Sequence, residues 1–175
     1  NEVSNVQTHL LFLALLGPSG SGKSHLAGTA PGKILYLHSS AESHGVASAG
    51  KSGGDILPVC FERNKEGPLS AEKAYRRLLE CLKPEVIRKA QITTIVLDGL
   101  TDLEKMIRES DEFKNRCTTK NGGHDKYSEV PARNAMFDKV FAALREAQIT
   151  CGVHVVVLGI LDVQKENVTT GEIEL

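Results

Sequence analysis

Eight consecutive residues, Gly17-Pro18-Ser19-Gly20-Ser21-Gly22-Lys23-Ser24, satisfy the pattern G-x-x-x-x-G-K-[ST]. The chemistry of that pattern is phosphate binding. Its glycines let the backbone curl so that successive N–H groups point inward at phosphate oxygens. The helix that follows adds its positive N-terminal end. Lys23 is placed to reach the β- and γ-phosphates, Ser24 to ligate magnesium, and His25 follows on the same helix. The expected ligands are ATP, its product ADP and Mg2+. The motif needs a strand before it and a helix after it, and the sequence supplies both.

Such a site also needs acids. Thr93-Thr94-Ile95-Val96-Leu97-Asp98 is an apolar run with Asp98 at its C-terminal end, where ligands gather in open parallel sheets. Asp98 is therefore the candidate for the magnesium shell. The competing reading is a strand-terminal Asp that caps the next helix, although Thr101 or Asp102 suits that role better. Hydrolysis further requires a carboxylate that orients water beside the γ-phosphate. Glu42, in His38-Ser39-Ser40-Ala41-Glu42-Ser43-His44-Gly45, lies a few residues past a second apolar run and would emerge near the phosphate loop. It is the candidate base, with Lys23 as its catalytic companion; a solvated loop glutamate is the alternative. Asp162 and Gln164 are placed to sense the γ-phosphate.

Strands and helices must hold these residues in register. Leu10–Leu16, Lys33–His38, Thr93–Leu97 and Val153–Ile160 are nearly continuous apolar runs, as expected of strands covered on both faces. Ile56–Phe61 contains Pro58, which suits an edge strand. Helices are predicted over Gly22–Ala30, from a Ser70 cap to Leu82, from Pro84 onward, over Thr101–Glu109 and over Ala132–Gln148. The last carries Ala135, Met136, Val140, Phe141 and Leu144 on one side, a buried stripe. Strands alternating with helices predict an α/β fold with a mostly parallel sheet flanked by helices on both faces. Asp111–Val130 is polar and aperiodic and reads as a long functional loop. Gly171-Glu172-Ile173-Glu174-Leu175 starts a fresh alternating pattern, so the sheet is expected to continue past Leu175.

The bulk numbers exclude several classes. With 175 residues, 41% apolar and 25% charged, the chain is ordinary globular material for one domain. No apolar run reaches the roughly 18 residues of a membrane span, and Glu2 stands where a signal peptide would be basic. A cytoplasmic protein without a membrane partner is expected. Its four cysteines form no C-x-x-C pair, so reduced thiols are expected and zinc is not. A net charge of −1 confines any nucleic-acid binding to a local patch.

Together, Gly17–Ser24, Ala41-Glu42-Ser43-His44 and Ile95-Val96-Leu97-Asp98-Gly99-Leu100 resemble the RecA-like branch of the phosphate-loop ATPases. The similarity runs from Leu11 to Leu161 and is nearest to short bacteriophage versions associated with recombination and single-strand annealing. The resemblance implies one RecA-like ATPase domain over 1–175, acting in the host cytoplasm if phage-encoded. It also implies that Glu42 is the catalytic glutamate, that Asp98 is magnesium-associated and that Asp111–Val130 occupies the place of a DNA-contacting loop. One departure stands out: the tip of the fourth strand reads Leu158-Gly159-Ile160-Leu161, where the family tends to carry a polar sensor.

Lys114, Arg116, Lys120, Lys126 and His124, with Phe113 and Tyr127, give that loop cations for phosphates and aromatics for unpaired bases. Its acids dilute that charge, and a weak site of this kind gains strength mainly when subunits of a homo-oligomer repeat along a strand. Two other functions remain open at this stage. A small-molecule kinase would share the loop but usually brings several arginines over the phosphates, and Arg108, Arg116 and Arg133 are dispersed. A non-catalytic assembly module would use nucleotide as a switch. A GTPase is disfavoured, because Asn64-Lys65-Glu66-Gly67 lacks the guanine-reading Asp.

Overall fold

The apolar runs pair into one sheet. In the computed structural model, which describes residues 9–160, the strands are β1 (Phe12–Gly17), β2 (Lys33–His38), β3 (Asp55–Cys60), the two-residue pair β4 (Arg63–Asn64) and β5 (Gly67–Pro68), β6 (Thr94–Asp98) and β7 (His154–Ile160). Five of them form a sheet in the order β1-β7-β6-β2-β3, with every pairing parallel. The strands lie within two residues of their predicted bounds, and β3, which carries Pro58, sits at an edge as expected. β7 lies between β1 and β6, so the phosphate loop after β1 and Asp98 at the end of β6 flank the tip of β7.

A strand's side chains alternate between faces, and this splits the interior in two. Leu35 and Leu37 of β2, Ile95 and Leu97 of β6, and Val155 and Val157 of β7 enter a large apolar core. Over it pack α3 (Ala71–Cys81), α4 (Pro84–Lys89), α5 (Leu100–Glu109), α6 (Asp111–Arg116) and α7 (Glu129–Cys151). The intervening residues Ile34, Tyr36, Val96, Val156 and Leu158 face the other way. There they meet α1 (Lys23–Gly28) and α2 (Ser43–Gly50), through Ala27, Val46 and Ala49. Helices on both faces of a parallel sheet confirm the expected α/β architecture.

Local sequence explains most boundaries. Ser70 caps α3 by accepting from the Lys73 N–H, and Pro84 occupies the first turn of α4, where no N–H is required. α7 closes on Gly152 in the left-handed conformation, whose N–H donates to the Gln148 carbonyl at 3.0 Å.

One expectation is corrected. The segment 111–130 is not an irregular loop. Ser110 Oγ accepts from the Phe113 N–H at 3.2 Å and starts α6, and a 3-10 turn at Lys126–Ser128 leads straight into α7. Between them, Thr118 bridges His124 in a short excursion tied down by Asp125 N–H to Cys117 O at 2.7 Å. α2 is a helix for which the sequence reading has no expectation. Asp162 and Gln164 lie outside the described residues.

Candidate functional site

β1 ends at Gly17, and the chain turns through Pro18–Gly22 into α1. Gly20 and Gly22 take φ of 77° and 84°, the left-handed region that a side chain resists. The curled backbone of Ser19–Ser24 forms one wall of a cavity of about 290 Å³. Glu42, His44, Gly45 and Ser48 form the second wall, and Asp98 and Ile160 close it. The structure thus brings together six loop residues, the candidate base and the candidate magnesium acid.

Lys23 Nζ donates to the carbonyls of Gly17 at 2.9 Å and Pro18 at 2.8 Å and to Ser21 Oγ at 3.3 Å. Its ammonium therefore spans the mouth of the loop. Gly17 and Pro18 support it from behind rather than lining the cavity. His25 is exposed on α1 with Nδ1 3.4 Å from the Ser48 carbonyl, so it braces α1 against α2 and does not face the cavity. Of the predicted nucleotide-contacting residues, Gly17, Pro18 and His25 do not line the cavity.

Parity delivers Asp98. Thr94, Val96 and Asp98 share the small-core face of β6, so the carboxylate turns toward α1 and α2. Ser24 Oγ donates to Asp98 Oδ2 at 3.3 Å, and the Tyr36 hydroxyl donates to the same oxygen at 2.5 Å. Burial pushes the Asp98 carboxyl above the usual carboxylate range, against the opposing pull of Tyr36, Ser24 and Lys23. A hydroxyl and a carboxylate side by side are hard oxygen donors of the kind Mg2+ takes, with phosphates and water completing the shell. No cluster of three or more His, Cys, Asp or Glu occurs among the described residues.

Glu42 lies half-buried in the turn after β2. It precedes α2, and its carbonyl accepts from the Gly45 N–H at 2.9 Å. The segment leading to it is pinned: buried Ser39 donates to Asp102 Oδ2 at 2.5 Å, and the Ser40 N–H donates to Glu62 Oε2 at 2.7 Å. Burial, then the charges of Asp98 and Asp102, raise the Glu42 carboxyl, with Lys23 pulling the other way. A carboxylate whose proton affinity is raised beside a phosphate cradle is equipped to act as a base.

Residues 11–174 match the AAA domain family. The chain belongs to that family. No curated protein matches it. Among solved structures this AAA domain is similar to the ATP synthase subunit NeqB from Nanoarcheaum equitans, with a TM-score of 0.49 and 11% identity. That similarity covers 91% of this chain and 41% of the subunit, so the AAA domain spans less than half of the subunit's length. A likeness this distant carries no argument about function. The family itself supports the nucleotide-binding side of the sequence resemblance. No described helix of the AAA domain is long and apolar enough to cross a membrane.

Sequence reasoning missed Tyr36, Gly45, Ser39 and the whole of α2. A tyrosine inside Lys33-Ile34-Leu35-Tyr36-Leu37-His38 looks like any strand aromatic. Its link to Asp98 depends on the β2–β6 register, in which Tyr36 faces Val96 and reaches diagonally to the next pair.

Proposed function

We propose that this AAA domain binds ATP with Mg2+ and hydrolyses it. The observation that carries the reading is the single cavity shared by the loop Ser19–Ser24, Glu42 and Asp98. The loop backbone and Lys23 would hold the triphosphate, and Ser24 and Asp98 would hold Mg2+, which when bound neutralises phosphate charge and orients it. Glu42 accepts a proton from a water aligned beside the terminal phosphate, and its raised proton affinity suits that step. Ile160 gives the cavity an apolar edge on one side.

The small-molecule kinase loses ground here. Arg108 and Arg133 pair with Glu104 at 3.1 Å each, Arg116 pairs with Glu112 at 2.9 Å, and none of them lines the cavity. ATP turnover with and without Mg2+ tests the reading. Turnover that demands a small-molecule acceptor would restore the kinase, and binding without turnover would leave a nucleotide-switched module.

The finer proposal is that the whole chain acts as one domain in phage-type recombination or annealing, as a homo-oligomer along single-stranded DNA; the resemblance of Gly17–Ser24, Ala41–His44 and Ile95–Leu100 supports it. The folded form of 111–130 narrows the surface on offer. Phe113 is buried in the large core and Arg116 is engaged by Glu112, which leaves Lys114, Lys120, Lys126 and the 95%-exposed Tyr127. Stimulation of turnover by single-stranded DNA is the expected result, and indifference to DNA removes this role.

A further inference from the structure

A tyrosine whose ring is buried must find a partner for its hydroxyl. Tyr36 is fully buried on the small-core face of β2, and the partner it finds is not a backbone carbonyl but Asp98 Oδ2. The contact, at 2.5 Å, has the length of a charge-assisted hydrogen bond. Ser24 Oγ donates to the same carboxylate oxygen, so two donors on two different elements fix the plane of one side chain.

A glycine sits against this trio. A Cβ built on Gly45 would lie 2.7 Å from Asp98 Oδ2, 3.0 Å from Ser24 Oγ and 3.2 Å from the Tyr36 hydroxyl. Three oxygens from β2, α1 and β6 thus converge on one point, and the first turn of α2 closes over them because residue 45 has no side chain. Nothing in helix propensity asks for glycine there; it is disfavoured by about 1 kcal/mol in a helix interior. The close approach explains its presence.

We propose that Tyr36 is a positioning residue for the divalent cation: it holds the Asp98 carboxylate in the orientation that Ser24 and a phosphate-bound Mg2+ require. The proposal rests on the Mg2+–nucleotide reading of the cavity and adds a component that the phosphate-loop pattern does not contain. Tyr36 lies in the middle of a strand, does not line the cavity, and acts through Asp98. Gly45 supplies the space in which the three oxygens meet.

The test is binding of a fluorescent ATP analogue, titrated with Mg2+ and repeated in EDTA, on the wild type, Tyr36→Phe, Asp98→Asn and the double variant. Phe keeps the ring that fills the core and loses only the hydroxyl. Tyr36→Phe is expected to keep the affinity seen in EDTA while the half-saturating Mg2+ concentration rises roughly tenfold, the worth of one hydrogen bond to a charged group. On the Asp98→Asn background the same change should add nothing, because the carboxylate it aligns is gone. A buried hydroxyl with a merely structural role would shift both backgrounds alike. An unchanged Mg2+ requirement in Tyr36→Phe, or equal shifts on both backgrounds, overturns the proposal. Should Tyr36→Phe fail to fold, Gly45→Ala presses on the same trio with Tyr36 in place; an Mg2+ requirement equal to wild type in Gly45→Ala also overturns it. A wild type whose nucleotide affinity ignores Mg2+ removes the cation reading itself, a failure visible before any variant is made.

Discussion

The two faces of the sheet are built to different rules. On one, α3 to α7 bury large side chains such as Tyr75, Leu78, Leu103, Met136 and Leu144 against Leu35, Leu97 and Val157. On the other, α1 and α2 pack through glycine, alanine and serine, and the polar groups Tyr36, Ser24 and Asp98 meet beneath them. The first face removes most of the apolar surface from water, which is the main favourable contribution to folding. The second gives up that burial and brings backbone close enough to form a phosphate cradle with a buried carboxylate at its back. The same strands serve both because their side chains alternate.

The largest expected effect isolates chemistry on the small face. Glu42→Gln should bind ATP normally and turn over about 10²–10⁴-fold more slowly, since Gln keeps the shape and loses the basicity. Because the Glu42 carboxyl is raised, the acid limb of wild-type turnover should fall at a pH above the ordinary glutamate range. The base works deprotonated, so rate is lost as pH drops through that raised value. Wild-type turnover in Glu42→Gln moves the base elsewhere.

A core truncation should do the reverse. Leu78 is fully buried in the large core, and Leu78→Ala should cost about 2–5 kcal/mol by urea unfolding while the remaining folded protein binds nucleotide with unchanged affinity. A weakened affinity in the folded fraction would show that the two faces are not independent.

Third comes a stability gain. The Asp98 carboxyl is raised in the fold, so the folded state holds more proton than the unfolded chain between the ordinary aspartate value and the raised one, and stability falls as pH rises through that window. In EDTA near neutral pH, Asp98→Asn should therefore raise the melting temperature, by roughly 0.5–2 kcal/mol of stability, and flatten that pH dependence. A destabilised Asp98→Asn would mean the charge is better accommodated than its burial implies.

The smallest effect lies off both faces. Lys114, Lys120 and Lys126 changed together to alanine should flatten the log–log salt dependence of single-stranded DNA binding by about 0.7 for each DNA phosphate no longer neutralised. Arg116→Ala, already occupied by Glu112, should leave it unchanged. A triple variant with the parent's affinity and slope would remove 111–130 as a DNA surface.

These regions also differed in how well the sequence announced them. Strands buried on both faces must be apolar throughout, so β2 and β6 were visible as runs, with Asp98 at the end of β6; the phosphate loop was visible from its own pattern after β1. α3 and α7 carried long helical stripes. α2 carried none: Ser43, Gly45, Ser48 and Gly50 are poor helix formers, and Gly45 is required by the close approach of Asp98 and Ser24, a requirement that exists only in three dimensions. α6, at six residues, is too short for periodicity, yet Ser110 followed by Asp111 and Glu112 is a helix-start signal that was there to be read. The Tyr36–Asp98 contact had no signal, since strand order and register decide it.

The sheet order has a consequence for the timing of assembly. Among the described residues β1 pairs with β7 alone, and the Leu11 N–H that meets His154 does so across 143 residues of chain. At a synthesis rate of roughly 5–20 residues per second, the strand that carries the phosphate loop waits several seconds or more for its partner to emerge. The deep core of α3, α5 and β6 can begin to condense in that interval. Among the described elements β7 is the last to be synthesised, so the cavity stays open on the Ile160 side until β7 has emerged.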